Sequence, residues 1–148
     1  MATTKMFSAF PLNALKKLIY DLSDNTNTHI KLMLLTNVAS PNQETWTSKA
    51  EVTNEVAPGG GYTAGGAELA TKALTEATRV TKFDGDDVSW ANSTITARYA
   101  VLYDNSAGSD ALRKLILWID FGTDQSSNNT EFKITWDNAG IFTFTVPA

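Results

Sequence analysis

Five of the nine glycines fall in one stretch, "EVAPGGGYTAGGAEL", from Glu55 to Leu69. Glycines so spaced can cradle a phosphate, because backbone N–H groups then approach the anion directly. The spacing fits that chemistry badly. Gly59 and Gly61 supply half of a dinucleotide fingerprint, with Ala64 in its last place. Pro58 interrupts the approach, no buried strand leads in, and no βαβ unit follows. No lysine follows directly, as a P-loop requires. The stretch reads as a tight connector entering a sheet near Leu69, with room for another backbone to come close. That points to contact with a neighbouring chain through Pro58, Gly59, Gly60, Gly61 and Tyr62.

The other candidates are weak in the same way. Asp84, Asp86 and Asp87 surround Gly85 in "FDGDDV". Oxygen ligands at that spacing could begin a calcium site, but six to eight are needed and the remainder are absent, so a solvated turn is expected. His29 is the sole histidine and no cysteine occurs. Zinc and disulfides are therefore not expected, and no G-x-S-x-G elbow supports a serine nucleophile. His29 is read as a partly exposed strand residue. Asp120, within "WIDFG", needs a partner such as Arg98 or Arg113, or would form a carboxylate pair with Asp104. Trp90, Trp118 and Trp136 lie in or beside alternating strands and are expected to pack in the sheet core. Trp46 lies in a loop and is the tryptophan assigned to partner contact. No catalytic, cofactor or metal residue emerges, and the chain is expected not to be an enzyme and to need no cofactor.

The elements that carry these residues can be read from periodicity. Leu12, Leu15, Leu18, Ile19 and Leu22 form one helical stripe, with Pro11 suited to the first turn. A helix over 11–22 is expected, preceded by a short arm over 1–10 whose Phe7 and Phe10 are assigned to partner contact. Removing residues 1–9 should then leave the fold intact. "THIKLMLLTN" becomes apolar on both faces, as a central strand does. Residues 37–66 read as a long loop, with a short helix capped by Thr47 or Ser48 and Glu51. In 67–82 alanine and leucine favour helix, but the threonine-rich alternation favours strands, and strands are expected.

The second half alternates more clearly. Ile95, Ala97, Tyr99, Val101 and Tyr103 should share one face of their strand. Leu115, Leu117, Ile119 and Phe121 should oppose Ile116, Trp118 and Asp120. Phe132, Ile134 and Trp136, then Phe142, Phe144 and Val146, follow the same rule, and "DNAG" between them reads as a hairpin turn. The expected fold is mainly β: an antiparallel β-sandwich or jelly-roll-like barrel with one N-terminal α-helix, residues 11–148 forming a single domain.

Bulk properties agree. The chain has 148 residues, is 43% apolar and 19% charged, and carries a net charge of −4. It is long enough for one core, and it lacks the basic surface that nucleic acid demands. No apolar run approaches a membrane span, and the first 22 residues lack the apolar core of a secretion signal.

Laid end to end, "NTNTHIKLMLLT", "GYTAGGAELATKALT", "FDGDDVSWANSTITARYAVLYD", "LILWIDFGTDQS" and "FKITWDNAGIFTF" resemble a family of small tailed-bacteriophage virion proteins, over roughly residues 13–145. The paired signatures "GYTAGG" and "IDFG.DQS" carry the resemblance. It implies a virion structural component and no catalytic residues. With the reading above, it leads to a cement or decoration protein on the capsid surface, made in the host cytoplasm. The expected partner is the major capsid protein, bridged through the arm and the 37–66 loop by a trimer or dimer. The alternatives are a tail, baseplate or fibre-associated adaptor that binds a receptor and, behind it, a small calcium-dependent binding module or enzyme using Asp84, Asp86 and Asp87.

Overall fold

The computed structural model describes residues 2–148. In chain order the elements are β1 (Thr3–Met6), α1 (Phe10–Leu15), β2 (Ile30–Leu35), a 3-10 turn (Lys49–Glu51), β3 (Ala67–Glu68), β4 (Ala73–Ala77), β5 (Val80–Asp84), β6 (Val88–Ser93), β7 (Thr96–Asp104), β8 (Leu115–Ser126), β9 (Thr130–Ile134) and β10 (Phe142–Thr145). The protein is mainly β, with antiparallel sheets and one short helix near the N-terminus, an arrangement consistent with a β-sandwich.

The central sheet has the order β1-β8-β7-β2-β3. Two smaller sheets, β10-β5-β4 and β6-β9, supply the opposing layer. Between the layers lies the main core, where Ile30, Leu32 and Leu34 of β2 meet Phe83, Trp90, Phe132 and Ile134. The other face of the central sheet is also buried. Met33, Leu35, Val101, Tyr103, Leu115 and Trp118 pack there beneath Ala39 and Trp46 of the β2–β3 connection. A strand covered on both faces must be apolar at successive positions. That is why Leu32 to Leu35 are all buried. Each such side chain contributes roughly 1.5–3 kcal/mol.

The N-terminal segment is not an arm. Thr3–Met6 pair antiparallel with β8, Thr3 opposite Asp120 and Met6 opposite Leu117. Phe7 and Phe10 are buried, at 0% and 1% exposure. The apolar residues of this segment are drawn into the two cores: Phe7 stacks near Trp46, with centroids 6.5 Å apart, and Phe10 meets Phe142 edge-on at 5.4 Å.

The helix also departs from expectation. It ends at Leu15 rather than near Leu22. Lys17 adopts a left-handed φ of 56°, Lys17 N–H donates to Ala14 O, and Leu18 N–H donates to Asn13 O at 2.9 Å. This is a Schellman closure with lysine in the place usually taken by glycine. Residues 16–29 then run as turns, tied down by two buried polar groups. Asp104 accepts from Tyr20 N–H at 2.6 Å and Ser106 N–H at 2.7 Å. The Lys72 ammonium donates to the Asn27 and Leu69 carbonyls.

Residues 67–84 supply the expected strands as β3, β4 and β5, broken at 69–72 and 78–79, where Thr71 and Thr78 lie at positive φ. β4 and β5 join through Thr78 and Arg79, both at positive φ, the geometry whose twist suits a two-residue hairpin. Ser48 and Glu51 make the expected capping box, Ser48 N–H reaching Glu51 Oε2 at 2.6 Å.

Strict alternation fails where strands bulge. Between β7 and β8 the register passes from Ala97–Gln125 to Tyr99–Asp120, and from Leu102–Leu117 to Tyr103–Leu115. Extra residues on β8 invert the side-chain phase. Ile116 and Leu117 consequently share the main core, while Leu115 and Trp118 face the other. Likewise Ala97 lies in the main core but Tyr99 and Val101 do not. "DNAG" closes a tight turn, Gly140 N–H to Asp137 O at 2.8 Å, but not a hairpin. It passes the chain from β9, paired with β6, to β10, paired with β5.

Candidate interaction surface

The glycine stretch is clamped by its own chain. Gly59 and Tyr62 exchange backbone hydrogen bonds at 2.9 and 3.0 Å across Gly60 and Gly61, whose φ values are 56° and 85°. Close backbone approach is real here, and both partners are internal. A Cβ on Gly60 would lie 2.6 Å from Thr94 O, and one on Gly66 would fall inside the backbone of Leu32 and Met33. Tyr62 is buried at 3% exposure. Its hydroxyl donates to Glu55 Oε1 at 2.8 Å and accepts from Leu34 N–H at 3.0 Å. Desolvation, reinforced by the Glu55 carboxylate, pushes that hydroxyl far above the ordinary tyrosine range. Tyr103 holds the same loop by donating to Gly65 O at 2.9 Å.

Of the residues assigned to partner contact, Pro58, Gly59, Gly60 and Gly61 are exposed. Phe7, Phe10, Trp46 and Tyr62 are not available, because all four are buried within the chain itself. Trp46 is drawn under the central sheet by Phe7 rather than presented on a loop. Trp90 and Trp118 are buried as expected. Trp136 is half-buried at the rim of the main core, with its Nε1–H on Asp86 O and its backbone N–H on Asp87 Oδ1, both at 3.0 Å.

The acidic turn is distributed among separate partners. Asp84 pairs with Lys82 at 3.3 Å, Asp86 accepts from Thr71 Oγ1 at 2.6 Å, and Asp87 pairs with Lys133 at 3.0 Å. No group of three or more metal-capable side chains occurs among the described residues. Asp120 pairs with Arg98 Nε at 2.8 Å and not with Asp104. That guanidinium, with the Gly122 N–H, holds the Asp120 carboxyl below its ordinary value. His29 is half-buried just before β2, against the Tyr20 ring. A polar recess of about 260 Å³ beside Tyr103 is lined by Lys31, Lys49 and Arg113, but Lys49 and Arg113 both pair with Asp110.

Two features stand open instead. The first is α1. Phe10 and Asn13 point inward, and at 100° per residue that turns Leu12 and Leu15 outward. Leu12 is 54% exposed, Leu15 85% and Leu18 49%. Of the stripe read in the sequence, only Leu12 and Leu15 lie on the helix and face solvent; Leu18 is exposed in the turns beyond it, and Ile19 and Leu22 are half-buried against the main core. The second is an open cleft of about 900 Å³ lined mainly by β8 and β9, with Ala2 and Thr4 at its margin. Ile119, Phe132, Ile134 and Ile141 of the main core lie buried at its base, and Phe121, Glu131, Lys133 and Asp137 are also among its lining residues. Periodicity located these residues but could not show which side of α1 meets the core or that a cleft opens over β8 and β9.

No helix among the described residues is long and apolar enough to cross a membrane. Compared with known proteins, the chain matches no family model, no curated protein and no solved structure.

Proposed function

We propose that the chain is a non-enzymatic virion structural protein, a cement protein that sits between major-capsid subunits and stabilises the head. The observation that carries the interaction reading is the outward exposure of Leu12 and Leu15 on α1, with Leu18 exposed in the turn that closes it. A soluble domain gains nothing by presenting leucines on a short, firmly closed helix while burying Asn13. Contiguous exposed apolar side chains mark contact sites. The virion assignment rests on the resemblance of the "GYTAGG" and "IDFG.DQS" segments. Attachment through α1 and the exposed Pro58–Gly61 turn would be individually weak, and repeated sites on a particle would make it strong.

The test is a binding assay on particles lacking the protein. Leu12→Lys/Leu15→Lys should leave the fold within about 0.5 kcal/mol of the parent, as surface changes do, and should abolish co-sedimentation. Undiminished binding by the double variant would overturn the role of α1. Gel densitometry of virions should find hundreds of copies per particle. A few copies would overturn the cement reading and favour the tail or baseplate adaptor.

A further inference from the structure

We infer that the open cleft over β8 and β9 is a saccharide-binding site, which takes a neutral oligosaccharide against two aromatic rings, Phe121 and Trp136. The site begins with an irregularity of β8. Its pairing with β7 passes from Tyr99–Asp120 to Ala97–Gln125. One residue of β7, Arg98, therefore stands against four of β8, Phe121 to Asp124. Such an excess bends the bulged strand out of its ladder and re-aims its side chains, a device that gathers beside binding sites. Asp120 is held by Arg98 and accepts from Gly122 N–H at 2.8 Å, with Gly122 at a φ of 82°, which fixes the excursion. Phe121 lines the cleft and is half-buried, unlike the core side chains at the base. Trp136 is the second ring. Its Nε1–H is on Asp86 O and its backbone N–H on Asp87 Oδ1. Both anchors lie on the β5–β6 turn, and the half-buried indole still lines the cleft. A ring fixed before the ligand arrives loses little freedom on binding.

The remaining chemistry selects the ligand. A volume of about 900 Å³ is at the upper end for ligand sites. Ile119, Phe132, Ile134 and Ile141 are already buried in the main core, so they offer no apolar trough for a hydrophobic ligand. Lys133 is the one cation of the lining, and it is paired with Asp87 at 3.0 Å. Glu131 and Asp137 set two carboxylates against it, so an anionic ligand would be repelled. Glu131 is exposed and enters none of the ion pairs among the described residues. Asp137 uses one oxygen on Ala139 N–H and keeps the other. Ionised carboxylates only accept hydrogen bonds. The ligand that suits them is uncharged, donates hydroxyls, and carries C–H faces that lie on aromatic rings. Sugars combine these properties. The site uses neither α1 nor the Pro58–Gly61 turn, and stands whether or not the protein binds a capsid.

The probes are maltohexaose, cellohexaose and N-acetylchitohexaose, each titrated into the full chain labelled with nitrogen-15. At least one should shift the amides of residues 121–126 and 131–137 saturably at millimolar concentration. Glu131→Ala and Phe121→Ala should each weaken that binding about tenfold, the first by losing charge-assisted hydrogen bonds and the second by losing a ring face. Leu15→Ala, outside the cleft, should bind as the parent does. The amide spectrum of each variant reports its fold. If Phe121→Ala unfolds, the exposed Glu131 position carries the test alone. Overturning results are no saturable shift with any of the three sugars, shifts confined to residues outside the cleft, or undiminished binding by either folded variant.

Discussion

Phe7→Ala distinguishes a strand-anchored N-terminus from a free arm. The ring is fully buried, stacks near Trp46, and joins β1 to α1 through Phe7 N–H on Ile116 O and Phe10 N–H on Phe7 O. Truncating a buried phenylalanine costs about 3–5 kcal/mol, through lost transfer energy and the cavity left behind. Domains of this kind have about 5–15 kcal/mol in total, so a large share would be lost. In a chain of about 150 residues each kcal/mol moves Tm by about 2–4 °C, which places the variant roughly 6–20 °C below the parent. Urea titration gives the free energy, and an unchanged m-value would confirm that the unfolded reference is the same. Leu15→Ala, at 85% exposure, is the control and should move stability by less than about 0.5 kcal/mol. A Phe7→Ala loss no larger than this control would refute the packing of β1 and Phe7. Deletion of residues 1–9 removes that strand and ring together. It should destabilise the domain outright, in place of the intact fold expected of a dispensable arm.

Two further outcomes follow from the geometry. Gly66→Ala should destabilise by at least about 1 kcal/mol in urea titration, because φ is +78° and the added Cβ meets Leu32 backbone. Gly108→Ala meets open space and should be neutral or slightly stabilising. Asp120 has its native carboxyl held below the ordinary value of 3.8, chiefly by the hydrogen bond from Arg98. Its stabilisation is therefore present above 3.8 and lost as the pH falls through the lower native value. Asp120→Asn should reduce stability at neutral pH and flatten the acid limb of a stability–pH curve; an unchanged limb would refute the pairing.

The β architecture was legible because period-2 patterns and turn chemistry are local. β2 declared its two covered faces through Leu32, Met33, Leu34 and Leu35. Thr75 in β4 and Thr81 in β5 went with strand against the helix propensity around them, while Thr71 and Thr78 fell in turns at positive φ. The Ser48–Glu51 cap and the Arg98–Asp120 pair also needed only residue type and approximate strand placement. Bulges were not legible. Nothing in "RKLILWIDFG" marks Ile116 as the residue where the phase inverts, since every candidate there is apolar. The same ambiguity hid the N-terminus. "TTKM" is too short to show a period, and its pairing with β8 spans more than a hundred residues.

The helix is the instructive failure. A stripe of leucines at i, i+3 and i+6 predicts that something apolar covers it; it does not specify that the cover is the same chain. The domain fills its main core largely with β-strand side chains and takes only Phe10 from α1, Asn13 being the helix's other buried residue. With both faces of the central sheet already occupied, several apolar side chains stand exposed at the periphery, among them Leu12 and Leu15 of α1 and Phe144 and Val146 of the last strand segment. Exposed leucines and phenylalanine at the periphery are what the proposed contact with other chains rests on. If variants at Leu12, Leu15, Phe144 and Val146 leave both particle binding and self-association unchanged, that account of the periphery fails even though the fold stands.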